Sequence, residues 1–323
     1  MEKNFEVLIT RKIPEIGIDL LKAAGYKVTV NENDQPLPRV ELLESIEKFD
    51  ALVCMLSDKI DKEVLDRAKR LKVIANYAVG YNNIDVEEAT RRKIFVTNTP
   101  DVLTAATADL AWALLLAVSR RVVEADHFLR QGKFKGWAPE LLLGTEVSGK
   151  TLGIVGAGRI GQAVGHRALG FDMKILYYSR QPKPEFEQAT GAHFLALDEL
   201  LATADFVSLH CPLTPETHHL LNEERIFAMK KGAILINTAR GPVVDEKALV
   251  KALKKRHLAG AGLDVFENEP EVHPELLSLN NVVVLPHIGS ATVETRSEMA
   301  RMVAKNVISA LEKGVPVNPV NSF

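Results

Sequence analysis

Three polar side chains of different chemistry follow predicted strands in the second half of the chain. Arg240 follows the apolar run at residues 233–239, Glu269 lies in the turn Glu-Asn-Glu-Pro, and His287 follows Leu-Pro. A guanidinium can hold a carboxylate through two parallel hydrogen bonds, and an imidazole can donate a proton to a carbonyl oxygen. The set therefore suits reduction of a 2-oxo acid. Spacing alone leaves open that Arg240 caps a turn, that Glu269 is solvated and that His287 satisfies neighbours in the core.

A glycine-rich turn in the middle of the chain has the pattern of a phosphate-binding loop. Residues 152–155 are predicted as a buried strand, and the sequence Gly-Ala-Gly-Arg-Ile-Gly follows before a predicted helix. Gly156 would make the tight turn, Gly158 would let the backbone approach a pyrophosphate, and Gly161 would let the helix pack closely on the strand. A second predicted strand completes a βαβ unit, so we interpret the turn as a dinucleotide site rather than a surface turn.

The residues after that second strand bear on which dinucleotide is bound. An acidic residue that holds the ribose 2′-OH of NAD is expected about 20 residues past the glycines. The sequence has Ser179, Arg180 and Gln181 there. Since Arg180 can pair with a 2′-phosphate, the sequence predicts that NADP(H) is preferred and that NAD(H) is possible. The alternative is that Arg180 stacks on adenine while NAD is bound.

Apolar runs alternate with helix-period patterns along the whole chain, as in a doubly wound α/β fold. Predicted strands before the glycine loop are at residues 6–10, 27–30, 51–56, 73–77 and 95–97. Predicted helices there are at 14–24, 39–49, 62–70 and 86–92. Later strands are predicted at 152–155, 174–178, 206–210, 233–237, 260–265 and 282–285, and later helices at 159–169, 197–202, 223–229, 246–255 and 292–311.

These two runs predict two Rossmann-like domains with a parallel sheet each. We predict a flavodoxin-like, substrate-binding domain from residues 1–99 and 288–323, with a dinucleotide-binding Rossmann domain at 100–287 inserted into it. The closing helix follows the last strand and is expected to pack back on the first domain. The apolar pattern at 104–130 is predicted as one long helix, either in the core or buried between domains or subunits.

Composition excludes several other classes of protein. The 323 residues include 40 Lys and Arg against 42 Asp and Glu, and a net charge of −2 does not indicate a nucleic-acid or membrane partner. Cys54 and Cys211 lack the spacing of a metal site and suggest a reducing compartment. Adjacent His218 and His219 lack a third ligand at metal spacing, so no metal is expected. The N-terminus has no signal-peptide pattern, and we expect a cytoplasmic protein.

Five segments carry a family resemblance. They are AVGYNNID from residue 78, GAGRIGQAV from 156, NTARGPVVDEKAL from 237, AGAGLDVFENEP from 259 and LPHIGSAT from 285. Over essentially its whole length the chain resembles the D-isomer-specific 2-hydroxyacid dehydrogenase family. Through LPHIGSAT, CMLSDKID from residue 54 and SRQPKP from 179 it is most similar to the glyoxylate/hydroxypyruvate reductases within that family.

The resemblance implies NAD(P)H-dependent reduction of glyoxylate to glycolate and of hydroxypyruvate to D-glycerate. It implies that hydride transfer is accompanied by protonation from His287, that Glu269 pairs with His287, and that Arg240 binds the substrate. The implied substrate contacts are Leu56, the backbone of Val79 and Gly80, Arg240 and His287. The implied cofactor contacts are Gly156, Ala157, Gly158, Arg159, Ile160, Gly161, Ser179, Arg180, Gln181, Thr238, Ala239, Asp264, Ile288 and Gly289.

The resemblance also bears on assembly and on alternative functions. It implies a homodimer in which Trp137 reaches toward the neighbouring subunit's substrate site, although a buried structural tryptophan fits the sequence equally well. Alternative activities are those of a D-lactate, phosphoglycerate or phosphite dehydrogenase. A dinucleotide-sensing, corepressor-like binding protein is a further alternative, but such proteins carry extra tails, whereas this chain ends at Phe323.

Overall fold

The computed structural model describes residues 4–33 and 35–323 of the chain. The chain divides into two compact units, Met1–Leu103 with Ser290–Phe323, and Thr104–Gly289. These limits lie a few residues from those predicted, and residues 1–3 and 34 of the predicted first domain lie outside the described residues. Each unit contains one parallel sheet with helices, which confirms the predicted fold class.

The first unit contains a five-stranded sheet. Its strands are β1 (Glu6–Ile9), β2 (Lys27–Val30), β3 (Ala51–Cys54), β4 (Val73–Asn76) and β5 (Phe95–Thr97). Four of its helices are α1 (Glu15–Ala23), α2 (Arg39–Ser45), α3 (Lys62–Arg67) and α4 (Val86–Arg91). The strand order is β2-β1-β3-β4-β5, and every pairing is parallel. β3 and β4 are buried along their whole length, as expected for inner strands that are covered on both faces.

The second unit contains a seven-stranded sheet. Its strands are β6 (Thr151–Val155), β7 (Lys174–Tyr178), β8 (His193–Phe194), β9 (Phe206–Leu209), β10 (Ile234–Asn237), β11 (Gly260–Leu263) and β12 (Val282–Val284). Its helices are α5 (Thr104–Ser119), α6 (Val122–Arg130), α7 (Arg159–Ala168), α8 (Pro184–Thr190), α9 (Leu197–Thr203), α10 (Glu223–Ala228), α11 (Glu246–Lys254) and α12 (Pro274–Ser278). The order β12-β11-β10-β9-β6-β7-β8 makes β6 the strand at which the winding reverses, which is where such sheets bind ligands.

The prediction of one long helix at 104–130 is wrong, because the segment forms the separate helices α5 and α6. Between them Arg121 adopts a left-handed conformation with φ of 54°. The carbonyl of Ser119 accepts a hydrogen bond from the backbone N–H of Thr145 at 2.7 Å. A Cβ atom on Gly144 would lie 2.3 Å from that same oxygen, so the incoming chain fits there only as glycine. A contact from a distant segment therefore ends α5.

The other predicted elements agree with the structure to within a few residues, whereas α8, α12 and the two-residue β8 were not predicted. Asp245 caps α11, since its carboxylate accepts the N–H of Ala248 at 3.0 Å. α5 lies in the core of the second unit, and Trp112 donates its indole N–H to the carbonyl of Val164 at 3.0 Å. The core interpretation of this helix therefore holds for its first part.

The closing helix α13 (Val293–Lys313) belongs to the first unit, as predicted. It packs so closely on α1 that a Cβ atom on Gly17 would lie 2.8 Å from the carbonyl oxygen of Ala300. Gly314 ends the helix with φ of 75°, a conformation that glycine adopts readily. Among the described residues, no helix is both long and apolar enough to cross a membrane.

Candidate active site

Arg240, Glu269 and His287 lie beyond three neighbouring strands of the second sheet. Arg240 follows β10, Glu269 follows β11, and His287 follows β12. Since these strands are parallel, their carboxyl ends meet at one edge of the sheet. The structure brings Glu269 and His287 into contact there, with 2.8 Å between the carboxylate Oε2 and the imidazole Nδ1. The two side chains are 36% and 32% exposed, so the pair remains accessible to a small ligand.

The Glu269 carboxylate is held on both oxygens. Its Oε1 accepts the backbone N–H of Phe266 at 3.0 Å, while Oε2 contacts His287. Burial alone would raise the pKa of Glu269, but the hydrogen bond with His287 and the charges of His287 and Arg240 outweigh it and lower the pKa. The carboxylate is therefore ionised at neutral pH. With Nδ1 occupied, Nε2 is the nitrogen of His287 left for a substrate.

The backbone of His287 adopts a left-handed conformation with φ of 54°, which is uncommon for a residue with a side chain. Asp264 stabilises the turn, because its carboxylate accepts the N–H of Ile288 at 2.7 Å and that of Gly289 at 2.8 Å. Asp264 is buried, and this burial raises its pKa to about 6 against the opposing effect of the two N–H groups. The sequence suggested only a cofactor contact for Asp264 and missed this orienting contact.

The turn that carries Arg240 is fixed by Asn237 at the end of β10. The Asn237 amide donates to the carbonyl of Arg240 at 3.0 Å and accepts the N–H of Ala239 at 3.0 Å. A Cβ atom on Gly241 would lie 1.9 Å from the carbonyl carbon of Phe266, so this turn sits directly on the chain that leads to Glu269. Only glycine allows that approach. The turn that carries Arg240 and the turn that carries Glu269 are thus packed backbone to backbone.

The charge state of Arg240 follows from the same surroundings. Burial lowers the pKa of Arg240, and the nearby charge of Glu269 opposes that effect. A guanidinium starts so far above neutral pH that it stays protonated in proteins. Arg240 therefore offers a permanent cation next to the Glu269–His287 pair.

The three glycines of the loop have different surroundings. Gly156 has φ of 99°, and a Cβ atom there would lie 2.6 Å from the backbone nitrogen of Cys211. A Cβ atom on Gly161 would lie 2.2 Å from the carbonyl oxygen of Gly156. At Gly158, immediately before α7, a Cβ atom would meet nothing within 4 Å. Open space before a helix N-terminus fits a pyrophosphate, whose oxygens can accept hydrogen bonds from the N–H groups of the first helical turn.

The residues after β7 lie beside this loop, because β7 pairs with β6. The Ser179 hydroxyl donates to the carbonyl of Gln181 at 2.5 Å, which shapes the turn. Arg180 is exposed. The pKa of Glu216 is lowered, first by its hydrogen bond with Thr214 and also by the charge of Arg180. Arg180 thus lies near one carboxylate, but none stands at the position that would hold a ribose 2′-OH.

The positions implied for the nicotinamide end of the cofactor follow β10 and β12. Thr238 is buried, and within residues 4–33 and 35–323 its hydroxyl has no hydrogen-bond partner. A buried hydroxyl of this kind fits a site completed by a ligand. The N–H groups of Ile288 and Gly289 are instead occupied by Asp264. Ala239 donates its N–H to Asn237 and is half-buried.

The substrate contacts implied in the first unit follow β3 and β4, which are adjacent strands of its sheet. Leu56, Val79 and Gly80 are each half-buried. No hydrogen-bond acceptor among the described residues takes the backbone N–H of Val79 or of Gly80. These two donors are therefore available to an anion.

The structure also shows the surroundings of Trp137 and of the adjacent residues His218 and His219. Trp137 is 86% exposed, so the buried structural alternative is wrong. The rings of His218 and His219 lie 4.2 Å apart, and His219 pairs with Glu267 at 2.6 Å. In the part of the chain that the structure describes, no cluster of three His, Cys, Asp or Glu residues could hold a metal ion.

Comparison with known proteins gives consistent matches over the chain. Residues 112–289 match the family described as D-isomer specific 2-hydroxyacid dehydrogenase, NAD binding domain. The glyoxylate reductase of Thermococcus kodakarensis is 58% identical over 320 residues, which cover 98% of this chain and 96% of that protein. A crystal structure of a Thermus thermophilus protein is 54% identical with a TM-score of 0.93, covering 98% of this chain and 100% of the other. An NADPH-dependent glyoxylate/hydroxypyruvate reductase from Sinorhizobium meliloti, crystallised with NADP and malonate, is 34% identical with a TM-score of 0.87 and coverages of 98% and 97%.

Proposed function

Because this chain belongs to the D-isomer-specific 2-hydroxyacid dehydrogenase family, we propose that it is an NADPH-preferring reductase of glyoxylate and hydroxypyruvate. The chain is an oxidoreductase that binds a nicotinamide dinucleotide and reduces small 2-oxo acids. The products are glycolate and D-glycerate. The observation that carries the proposal is the 2.8 Å contact between Glu269 and His287 beside the guanidinium of Arg240.

Each residue has one task in the reaction. The bound dinucleotide supplies the hydride that C2 of the 2-oxo acid accepts. His287 gives the proton that the carbonyl oxygen takes up, and Glu269 holds the ring by Nδ1 so that Nε2 faces the substrate. Arg240 binds the carbonyl and carboxylate oxygens of the substrate. The N–H groups of Val79 and Gly80 bind the carboxylate, and Leu56 lines the site.

The dinucleotide is held by the loop from Gly156 to Gly161, with Ala157, Arg159 and Ile160 beside the pyrophosphate. The open space at Gly158 and the unpartnered hydroxyl of Thr238 support this assignment. Ala239, Asp264 and Gly289 complete the nicotinamide end. The second unit is thus the dinucleotide-binding domain and the first unit the substrate-binding domain, in a cytoplasmic enzyme.

The preference for NADP(H) over NAD(H) rests on the residues after β7. Ser179, Arg180 and Gln181 include a cation and no carboxylate, and the exposed Arg180 can reach a 2′-phosphate. The related Sinorhizobium meliloti reductase binds NADP, which is consistent with this preference.

A kinetic comparison tests the proposal. We expect NADPH oxidation with glyoxylate and hydroxypyruvate at higher kcat/KM than with pyruvate or 3-phosphohydroxypyruvate. In Ser179→Asp the new carboxylate would face the 2′-phosphate, so kcat/KM for NADPH should fall about tenfold or more while that for NADH holds or rises. Ser278→Asp, at an exposed position of α12, is the matched control.

Other outcomes of this comparison separate the alternatives. Efficient turnover of pyruvate alone would favour a D-lactate dehydrogenase, and turnover of 3-phosphohydroxypyruvate alone a phosphoglycerate dehydrogenase. Phosphite oxidation would favour a phosphite dehydrogenase. Dinucleotide binding without turnover of any of these would favour a sensor. A wild-type preference for NADH over NADPH would contradict the proposed cofactor preference.

The assembly is proposed to be a homodimer. α6 buries none of its residues, and the apolar side chains of Val122, Val123 and Leu129 are exposed on it. The exposed Trp137 continues this surface in sequence. A monomer rarely exposes so many large apolar side chains in one segment, and a second copy of the chain would cover them. A monomeric mass by light scattering would contradict the dimer.

A further inference from the structure

Two successive peptide groups after β4 are held by their carbonyl oxygens. The carbonyl of Ala78 accepts the backbone N–H of Thr99 at 2.9 Å. The carbonyl of Val79 accepts a hydrogen bond from the side-chain amide of Asn98 at 2.8 Å. Both donors come from the turn after β5, the strand next to β4. The turn after one strand thus fixes the turn after its neighbour.

Fixing a carbonyl also fixes the N–H of the next residue. In a planar trans peptide group the C=O and the following N–H point in opposite directions. The contact from Thr99 therefore sets the direction of the Val79 N–H, and the contact from Asn98 sets that of the Gly80 N–H. These are the two donors that have no acceptor among the described residues. Successive N–H groups that are held in place and free of protein partners form an anion site.

The far side of the loop is held as well. The side-chain amide of Asn76, the last residue of β4, donates to the carbonyl of Gly80 at 2.7 Å. Asn76 is fully buried. Gly80 has no side chain to restrict its backbone, so these flanking contacts are what limit its rotation.

Asn98 is itself fixed by the closing helix. Its carbonyl accepts the amide of Asn306 on α13 at 3.3 Å, and Asn306 is fully buried. The same Asn306 side chain accepts the N–H of Asn318 at 2.8 Å. The Asn98 amide therefore reaches the Val79 carbonyl from a backbone that is anchored inside the first unit.

We propose that Asn98 is a positioning residue, which sets the direction of the Gly80 N–H and so the affinity of the site for a substrate carboxylate. The inference rests on the proposed function, in which the Val79 and Gly80 N–H groups bind that carboxylate. Asn98 acts through Val79 and does not touch the substrate. Its loss should weaken binding of the carboxylate equally before and during the reaction, which raises KM and leaves kcat nearly unchanged.

The test compares glyoxylate with its neutral methyl ester as substrates of wild type and Asn98→Ala. We expect KM for glyoxylate to rise about fivefold to tenfold in the variant, as for loss of one hydrogen bond, with kcat changed less than about twofold. KM for methyl glyoxylate and for NADPH should stay near wild type, so the preference for the charged substrate shrinks. Asn31→Ala is the matched control, because the Asn31 amide also donates to a backbone carbonyl in the first unit, that of Thr10 at 2.9 Å.

The outcomes separate the inference from the function on which it rests. If wild type shows no preference for glyoxylate over its ester, the proposed carboxylate site is contradicted, and so is the role of Asn98 that depends on it. If wild type has the preference and Asn98→Ala keeps it in full, only the role of Asn98 is overturned. Equal losses with glyoxylate, the ester and NADPH would mean general damage and also overturn it. Asn98→Leu, which fills the same space without a donor, replaces the alanine variant if that variant does not fold.

Discussion

The turn after β6 in the second unit and the turn after β4 in the first both offer backbone N–H groups, but they are shaped by opposite means. The turn after β6 depends on the absence of a side chain. Gly156 there has φ of 99°, and a Cβ atom on it would lie 2.6 Å from the backbone nitrogen of Cys211. The turn after β4 depends on a side chain from another segment, since the amide of Asn98, after β5, donates to the carbonyl of Val79. A turn shaped by its own glycines is visible in a short sequence motif, whereas a turn shaped by a distant amide is not.

The two units also differ in which atoms they offer to chemistry. The second unit offers the side chains of Arg240, Glu269 and His287 at one sheet edge. The first offers the backbone of Val79 and Gly80, whose direction is set by other residues. Substitution of a side chain that takes part in the reaction should therefore lower kcat/KM far more than substitution of a side chain whose residue contributes only its backbone N–H.

The largest expected effect tests that contrast. His287→Ala removes the proposed proton donor, so kcat for glyoxylate reduction should fall about 10²- to 10⁴-fold. Val79→Ala keeps its N–H and should change kcat/KM by less than about threefold. His193→Ala, on the exposed strand β8, controls for loss of a histidine that is outside the site. The contrast breaks if His287→Ala retains wild-type turnover, or if Val79→Ala is as damaging as His287→Ala.

The same contrast explains how much could be predicted from the sequence. The glycine loop was predictable because Gly156 needs a positive φ and Gly161 lies against the carbonyl of Gly156, two constraints within one short segment. The strand ends placed Glu269 and His287 at one sheet edge. The end of α5 was not predictable, because the carbonyl of Ser119 is taken by Thr145 from a distant segment. The contact of Asn98 with Val79 was not predictable for the same reason, because it too joins separate segments. Local patterns determine elements, whereas contacts between separated segments determine where they stop and how turns are oriented.

An intermediate effect should separate two glycines of the same loop. Gly158→Ala places a methyl group where the protein itself has open space, so the fold should survive while KM for NADPH rises about tenfold. Gly156→Ala combines strain at positive φ with a backbone clash and should lower the free energy of unfolding by about 1–3 kcal/mol or more. Urea unfolding and cofactor kinetics on both variants distinguish the two effects. Equal cofactor affinity in Gly158→Ala and wild type would argue against a pyrophosphate at this turn.

The smallest effect concerns the pH dependence of kcat/KM, which should change when the carboxylate of Glu269 beside His287 is replaced. The lowered pKa of Glu269 keeps its carboxylate charged across the neutral range, in which histidine side chains ordinarily change charge. A charged carboxylate at Nδ1 stabilises the protonated ring, whereas the amide in Glu269→Gln can only hydrogen-bond to it.

Reduction needs the protonated ring, so activity should be high at low pH and decline as the pH rises. Oxidation of the hydroxy acid needs the neutral ring and should show the opposite trend. Glu269→Gln removes the negative charge beside Nδ1, so the descending limb for reduction and the ascending limb for oxidation should both move to lower pH. At pH 7 kcat/KM for reduction should be about threefold to tenfold lower than in wild type. Glu275→Gln, which removes a surface carboxylate paired with Lys254, should leave both limbs in place. The measurement is kcat/KM against pH in both directions for the three proteins, and limbs of Glu269→Gln that superimpose on those of wild type would show that the carboxylate does not set the protonation of His287.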